Sequence, residues 1–518
     1  MINFFNKRFF IIFLFPLIYG GVTVLSFQPF NLFFINFISL PLLFFTIIYV
    51  KKKSKSVYRK KPFLKNLFIL GTSFGFGFFF CGIYWITHSL TFDENFKILI
   101  PISLIIIPLF LSLFFSIPIM IAGNYLQNDI SSIFLISFLF AISDFLRNNI
   151  LSGFPWNLWS YSFSWNLEVL QILPIIGFFS FNIIIISILF SPCFFLNRKK
   201  YGFIFFSFFV ILLFTNYFYG SYKINSDSNK KLSNIYNFKV VSAGMELSEF
   251  KNNFEVASKL VKFSEPEKNK KTIFIWPEGV FLTENFSKQK NIKDLFLKSF
   301  SDKHLIVFGA NTKKKTSREI KYYNSMVITD RNLNILYQYN KKKLVPFGEF
   351  LPFENILKKF GVKKITAGYE SFSKGVGKPI IHLNHKNFEM KILSLICYEI
   401  IFPKLTESYK GNFDIILNIS EDAWFGKSIG PKQHFAKAIF RAIEAESFVI
   451  RSANKGISAF VDPNGKIKKT LKPNEIGNIE LDIPINSTNK KQPKKDLIFL
   501  FVLITYIFTF FLLRKFKI

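Results

Sequence analysis

The hydrophobic pattern of the chain changes character near residue 220. Before that point apolar runs follow one another with little interruption, at approximately 9–26, 28–50, 66–90, 98–121, 131–146, 168–196 and 201–219, and a further run covers 496–513. A helix needs about 20 residues to cross a bilayer, so the fifth run is marginal and the others predict transmembrane helices. The basic start "MINFFNKRFF" would suit a signal peptide, but no small-residue cleavage site follows it. The first run is therefore read as an uncleaved span.

Between the seventh and eighth runs the pattern switches to short β-branched or aromatic segments. "FKVVSAG", "KTIFIWPE", "HLIVFGAN", "NSMVITD", "FEMKILSLICYE", "FDIILNIS" and "SAFVDPNGKI" alternate with polar helical stretches and turn signals, which predicts an α/β domain. Residues 249–263 place Phe250, Phe254, Ala257, Leu260 and Val261 on one helical face. Residues 431–446 do the same with Phe435, Ala438, Ile439, Ala442 and Ile443, so each helix is expected to pack on a sheet. "PNG" at 463–465 predicts a hairpin turn. The expected organisation is a membrane domain of about seven helices at 1–220, an α/β domain at 221–490, and a last helix with its tail at 491–518.

Composition agrees with a divided chain. Half of the 518 residues are hydrophobic, 73 are Phe, and the mean hydropathy is +0.30, too apolar for an ordinary soluble domain and too charged for a pure membrane bundle. The formal net charge of +33 fits an anionic membrane surface or AT-rich codon usage, and no nucleic-acid motif accompanies it. Cys81, Cys193 and Cys397 provide neither a disulfide framework nor a CxxC metal pair. The loop 51–65 holds eight Lys or Arg whereas "TFDENFK" carries Asp93 and Glu94, which places the amino terminus in the cytoplasm. Counting spans onward, "NRKK" at 197–200 falls inside and 220–490 outside.

Chemistry gathers where strands end. "TIFIWPEGV" closes a strand with Glu278, "YNKKKLVPFGEF" follows another with Lys341 and Glu349, and "LSLICYE" closes a third with Cys397. A thiol becomes a nucleophile when a base removes its proton or a cation lowers its pKa. Glu278 suits the base, and Lys341 suits the stabilisation of a tetrahedral oxyanion. Taken singly, each has a structural reading: a buried small hydrophobe, a turn residue after proline, and one of three adjacent surface lysines. A Cys-His dyad would have to draw on His304, His382, His385 or His434, none with supporting context, and "HLNH" at 382–385 reads as a polar turn.

Together, "WPEG", "YNKKKLVPFGEFLPF", "CYE" and the long stretch from Asn418 to Gly465 resemble the carbon-nitrogen hydrolase (nitrilase) superfamily. The resemblance is to its membrane branch, the apolipoprotein N-acyltransferases, and extends over nearly the whole chain. It implies an α-β-β-α sandwich with a triad on Glu278, Lys341 and Cys397, and supporting roles for Glu349, Tyr398 and Glu399. Lys341 is chosen among the lysines because the family places its lysine just after "YN" and eight residues before the glutamate of "PFGE". The implied reaction takes an acyl chain from a phospholipid, holds it as a thioester, and passes it to the α-amino group of a diacylglyceryl-cysteine on a lipoprotein. It needs no cofactor and no metal, and its setting is the bacterial inner membrane with the catalytic domain periplasmic. A membrane-anchored amidase using water and a transporter with an inert outer domain are the competing readings. The transporter requires polar or ionisable residues within the spans, which look nearly devoid of them.

Three further expectations concern substrate contact. Trp156, Trp159 and Trp165 in "LSGFPWNLWSYSFSW" suit the headgroup layer, and the stretch 350–375 suits a lid touching lipid. Two segments depart from the family pattern, "SAGMELSEF" after the first strand and Lys455 where a threonine is common. They bear on acceptor or headgroup contacts and leave the triad intact.

Overall fold

The computed structural model describes residues 8–196, 201–226, 234–247, 249, 252–282, 285–315, 319–352, 354, 359, 371–485 and 494–516. The chain divides into two compact units, Met1–Ser226 with Pro493–Ile518, and Asp227–Gln492.

The first unit is helical. Among the described residues, seven helices are long and apolar enough to cross a membrane: Phe33–Lys53, Phe63–Phe92, Glu94–Gly123, Ser131–Asn149, Phe178–Phe195, Gly202–Ser226 and Lys495–Lys515. The first apolar run forms the shorter helical stretch Phe10–Ser26. The sixth is broken, with Leu167–Ile176 separated from Phe178–Phe195 by Gly177. Backbones approach closely at glycines. A Cβ on Gly20 would meet the Phe74 carbonyl oxygen at 2.2 Å, and one on Gly77 would meet that of Leu17 at 2.0 Å, the small-residue packing used where apolar burial cannot drive helix association.

Two expectations change here. Trp156 and Trp159 are buried, against Trp85 (ring centroids 4.5 Å apart) and Phe78 (5.7 Å) respectively, and only Trp165 is exposed. Their indoles fill the helix packing, so an aromatic count alone misassigned them to an interface. The Ser131–Asn149 helix also buries an ion pair, Asp144 with Arg147 at 2.9 Å, and Asn182 donates to the same carboxylate at 2.8 Å. The spans therefore carry more internal polarity than hydropathy suggests, in a self-paired form.

The second unit holds two six-stranded mixed sheets built from β1 (Ile235–Ser242), β2 (Thr272–Ile275), β3 (His304–Lys315), β4 (Ile320–Thr329), β5 (Ile335–Asn340), β6 (Ile380–His385), β7 (Phe388–Ile396), β8 (Ile415–Glu421), β9 (Phe448–Asn454), β10 (Ser458–Val461), β11 (Ile467–Leu471) and β12 (Gly477–Pro484). Their orders are β12-β1-β2-β3-β4-β5 and β11-β10-β9-β8-β7-β6. Each sheet has two consecutive parallel pairings, β1-β2-β3 and β7-β8-β9, flanked by antiparallel ones, so the second repeats the pairing pattern of the first.

Strand alternation builds the layers. Phe238, Val240, Ile273, Ile275, Leu305 and Val307 of one sheet share a core with Ile392, Ile396, Leu417, Ile419 and Ile450 of the other. The alternate residues Val241, Phe274, Trp276, Ile306 and Phe308 pack outward on Ala257, Leu260, Ile292 and Phe296 from the Asn253–Ser264 and Lys290–Ser299 helices. The Gly430–Ala445 helix covers the second sheet at β9. The result is the expected α-β-β-α sandwich. Phe254 proves 39% exposed, one position off the buried stripe of its helix, and Phe250 lies outside the described residues, as do "NRKK" and most of the 350–375 stretch. "HLNH" is strand β6, and "PNG" turns between β10 and β11 with Gly465 at a φ of 85°.

Candidate active site

Three chain segments leave strand ends and bring Glu278, Lys341 and Cys397 together. Glu278 follows β2 on a sharp turn whose backbone lies against Gly309 of β3. A Cβ on Gly309 would meet the Glu278 Cα at 2.6 Å, so only glycine admits that approach. Lys341 directly follows β5, and its amide continues the ladder by donating to the Asn324 carbonyl of β4 at 2.8 Å. Cys397 directly follows β7.

Lys341 is 1% exposed and donates to Glu278 Oε1 at 3.2 Å and to Glu349 Oε1 at 2.9 Å. The Asn324 amide nitrogen donates to the same two oxygens, at 2.7 Å each. The Glu421 amide donates to Glu278 Oε2 at 2.9 Å, and the Val345 amide to Glu349 Oε2 at 2.8 Å. Both carboxylates are thus held in place by donors on either oxygen. Burial alone would lower the lysine pKa, but the charges of Glu278 and Glu349 outweigh it and hold the ammonium above the usual lysine range. Neither Lys342 nor Lys343 occupies this position. Lys342 sends its amine to the Gly377 carbonyl at 2.6 Å, and Lys343 lays its ammonium over the Phe402 ring at 4.8 Å.

Cys397 is 8% exposed and adopts a φ of 48°, a left-handed conformation that a side chain disfavours by roughly 1–3 kcal/mol. Burial raises its thiol pKa, the nearby Glu278 charge raises it further, and Lys341 only partly offsets them. The resting sulfur is a thiol. Glu399 secures the turn by accepting from Tyr339 Oη (2.8 Å), the amides of Lys342 (2.8 Å) and Lys343 (3.0 Å), and the Ile396 amide (2.9 Å). It thereby ties the lysine-bearing segment to the cysteine-bearing one. Tyr398 is packed against Phe402, ring centroids 5.1 Å apart.

Sequence reasoning missed a second buried group behind the cysteine. Asp422 binds Arg451 Nη2 at 2.8 Å through Oδ2 and accepts from Ser420 Oγ at 2.7 Å. Arg451 also binds the Asn418 side-chain oxygen and the Ile457 carbonyl at 3.2 Å. His434, from the Gly430–Ala445 helix, sets Nε2 3.3 Å from the Cys397 carbonyl oxygen and Nδ1 3.1 Å from both Asp422 Oδ1 and Arg451 Nη2. Burial would raise the Asp422 pKa, but the Arg451 charge more than offsets it, and the carboxyl is held well below the usual range. The available signal was the density of polar residues in the 418–434 segment, an otherwise buried stretch.

The two departures from the family pattern meet. Lys455 ion-pairs with Glu246 at 2.5 Å, and the Asn454 side chain binds both the amide and the carbonyl of Met245, at 2.9 and 2.8 Å. Asn454 also donates to Glu421, whose carboxyl pKa burial pushes well above the usual range.

Residues 295–491, most of the α-β-β-α sandwich, match the Carbon-nitrogen hydrolase family model. Residues 19–191 match the model of the Apolipoprotein N-acyltransferase N-terminal domain. The chain is 32% identical over 479 residues to apolipoprotein N-acyltransferase of Rickettsia prowazekii (strain Madrid E), covering 90% of this chain and 91% of that protein. It is 28% identical over 480 residues to the enzyme of that name from Rhizobium rhizogenes (strain K84 / ATCC BAA-868), covering 89% and 88%. Among solved structures, Saccharomyces cerevisiae Nit3, a member of branch 10 of the nitrilase superfamily, is similar at 18% identity and a TM-score of 0.34, over 49% of this chain and 92% of that one. The chain belongs to the apolipoprotein N-acyltransferase family, as a multi-pass membrane acyltransferase.

Proposed function

We propose that the protein moves an acyl chain from a membrane phospholipid, through a thioester on Cys397, to the α-amino group of a diacylglyceryl-cysteine at the start of a lipoprotein. The observation that carries the reading is the geometry of the site: the Cys397 thiol at the end of β7 stands beside a buried Lys341 that is itself held 3.2 Å from Glu278 and 2.9 Å from Glu349. Such a thiol needs a base at the moment of attack. Glu278 takes the sulfur proton as the thiolate adds to the ester carbonyl, and Lys341 stabilises the resulting oxyanion. Collapse breaks the ester C–O bond, and Glu278 returns its proton to the departing lysophospholipid alkoxide. The acceptor amine then adds to the thioester and gives a proton to Glu278. Expulsion of the thiolate, which recovers that proton, leaves an amide.

Glu349 holds the lysine ammonium at 2.9 Å, Glu399 fixes the turn of the nucleophile, and Tyr398 packs beside it. The catalytic domain faces the periplasm from a bacterial inner membrane, a reading supported by the basic 51–65 loop. The test is intact-mass analysis of the purified protein given phospholipid alone. An acyl adduct on Cys397 with release of lysophospholipid is expected, followed by discharge onto a diacylglyceryl-cysteine peptide, and Cys397→Ala carries no adduct. Continuous release of free fatty acid with the peptide amine unmodified would identify a water-using hydrolase instead.

A further inference from the structure

The second buried group touches the nucleophile through its backbone. The His434 ring is fully buried, and burial together with the Arg451 guanidinium lowers its pKa, so it carries a single proton. A carbonyl oxygen only accepts. The nitrogen facing the Cys397 carbonyl at 3.3 Å is Nε2, which therefore bears that proton. Nδ1 is left as an acceptor, and Arg451 Nη2 lies 3.1 Å from it. The same Nη2 reaches Asp422 Oδ1 at 3.1 Å and Oδ2 at 2.8 Å, and Oδ1 also lies 3.1 Å from Nδ1, so guanidinium, carboxylate and ring meet at one point. Arg451 is itself anchored on Asn418 and on the Ile457 carbonyl. The carbonyl contact calls for a proton on Nε2, and the Arg451 N–H at Nδ1 is compatible with that tautomer.

What the tautomer holds is the Cys397–Tyr398 peptide. That peptide is planar, so a carbonyl pinned by His434 also fixes the direction of the Tyr398 amide, next to a Cys397 held at a φ of 48°. Without a partner on the carbonyl, the residue would relax toward an ordinary conformation and carry its sulfur away from Glu278 and Lys341. We propose that His434 is a positioning residue for the nucleophile, acting through an Nε2–H hydrogen bond to the Cys397 carbonyl, with Arg451 at its other nitrogen. The proposal rests on the reading of Cys397 as the acylated residue.

Three variants of the full-length protein test it: His434→Gln, whose amide can reproduce a donor at the Nε2 position, His434→Asn, whose shorter amide cannot reach the carbonyl, and His434→Leu. The limiting rate of acyl-adduct formation at saturating phospholipid should fall about 100-fold in the Asn and Leu variants, the scale of a misplaced reacting atom. The half-saturating phospholipid concentration should stay within about twofold, because no lipid contact is removed. The Gln variant should stay within several-fold of the parent. An Asn or Leu variant as fast as the parent, or a Gln variant as slow as Asn, overturns the proposal. If the Leu variant does not fold, the two amides decide. Alkylation of Cys397 by iodoacetamide, which requires no lipid, should show the same order of rates. A parent that forms no acyl adduct overturns the proposed reaction, whereas equal alkylation of the Gln and Asn variants overturns the tether.

Discussion

Two buried charged groups flank Cys397, and they are built to opposite plans. On the Glu278 side, one cation faces two carboxylates, with Asn324 donating to both acids. On the Asp422 side, one carboxylate meets one guanidinium, and the remaining members, Ser420, Asn418 and His434, are neutral. The first group carries one more negative charge than it needs for neutrality, which is useful where a proton must be accepted. The second is neutral overall and saturated with directed hydrogen bonds, which suits a support. The contrast separates charge kept available for chemistry from charge spent on geometry, a few ångströms apart in one protein.

The largest effects should appear on the reactive side. Lys341→Met, Glu278→Gln and Cys397→Ala should each lower acylation by about 10³-fold or more, while leaving the protein folded and membrane-inserted, because each removes a group needed at the transition state. Lys342→Met should retain most activity, since its amine points to the Gly377 carbonyl. Arg451→Met should behave the other way. It strands the fully buried Asp422 carboxylate, a loss of about 3–5 kcal/mol, and the unfolding midpoint should drop by several degrees before any kinetic defect is measured. A midpoint loss for Lys341→Met as large as that for Arg451→Met would erase the distinction.

The pH dependence should sharpen it. Asp422 is depressed in the folded state, so its contribution to stability is complete above the ordinary aspartate pKa of about 3.9 and is lost as pH falls through the lower folded value. Lys341 is raised, so its contribution is complete below about 10.4 and is lost only as pH climbs through the higher folded value. Between about pH 5 and 9 neither group titrates. Unfolding midpoints measured across pH should therefore show an acid limb that Asp422→Asn flattens and an alkaline limb that Lys341→Met flattens. A limb that moves with the other variant would contradict the assignment.

Much of this site was legible because strand ends carry their signals in short local strings. Glu278 after "IFIWP", Lys341 after "YN" and Cys397 after "ILSLI" stand directly on the apolar runs that place them, so their convergence follows from the sheet topology. The Asp422 group was not legible for the opposite reason. Its members come from β8, a helix and β9, and the polar residues look like surface until the pairing registers bring Asn418 against Arg451. The edge strands were equally silent. β11 exposes four of its five residues, so it has no apolar alternation to read, and β12 pairs antiparallel with β1 from the far end of the domain. In the membrane unit the spans were visible from hydropathy. The inward turn of Trp156 and Trp159 was not, because indoles fill bundle interiors as readily as interfaces.

The smallest expected effect concerns the rim, where Glu246 and Lys455 meet. Both stand in segments that depart from the family pattern, and they form one ion pair at 2.5 Å between residues 209 apart in the chain. Glu246 is 65% exposed at its side chain, so the pair should contribute no more than about 1 kcal/mol to stability. Its neighbours give it more leverage than its energy. Asn454, adjacent to Lys455, clamps Met245, adjacent to Glu246, and also contacts Glu421, whose amide holds the Glu278 carboxylate. A change of charge at the rim is therefore two side-chain contacts from the base. Glu246→Lys and Lys455→Glu should each leave the unfolding midpoint within about two degrees of the parent and change peptide acylation by about two- to fivefold. The double exchange should restore the parental rate, because the ion pair is re-formed with its ends swapped. Additive losses in the double variant would show that the two residues act independently, and would remove the reason for treating the two departures as a single compensated feature.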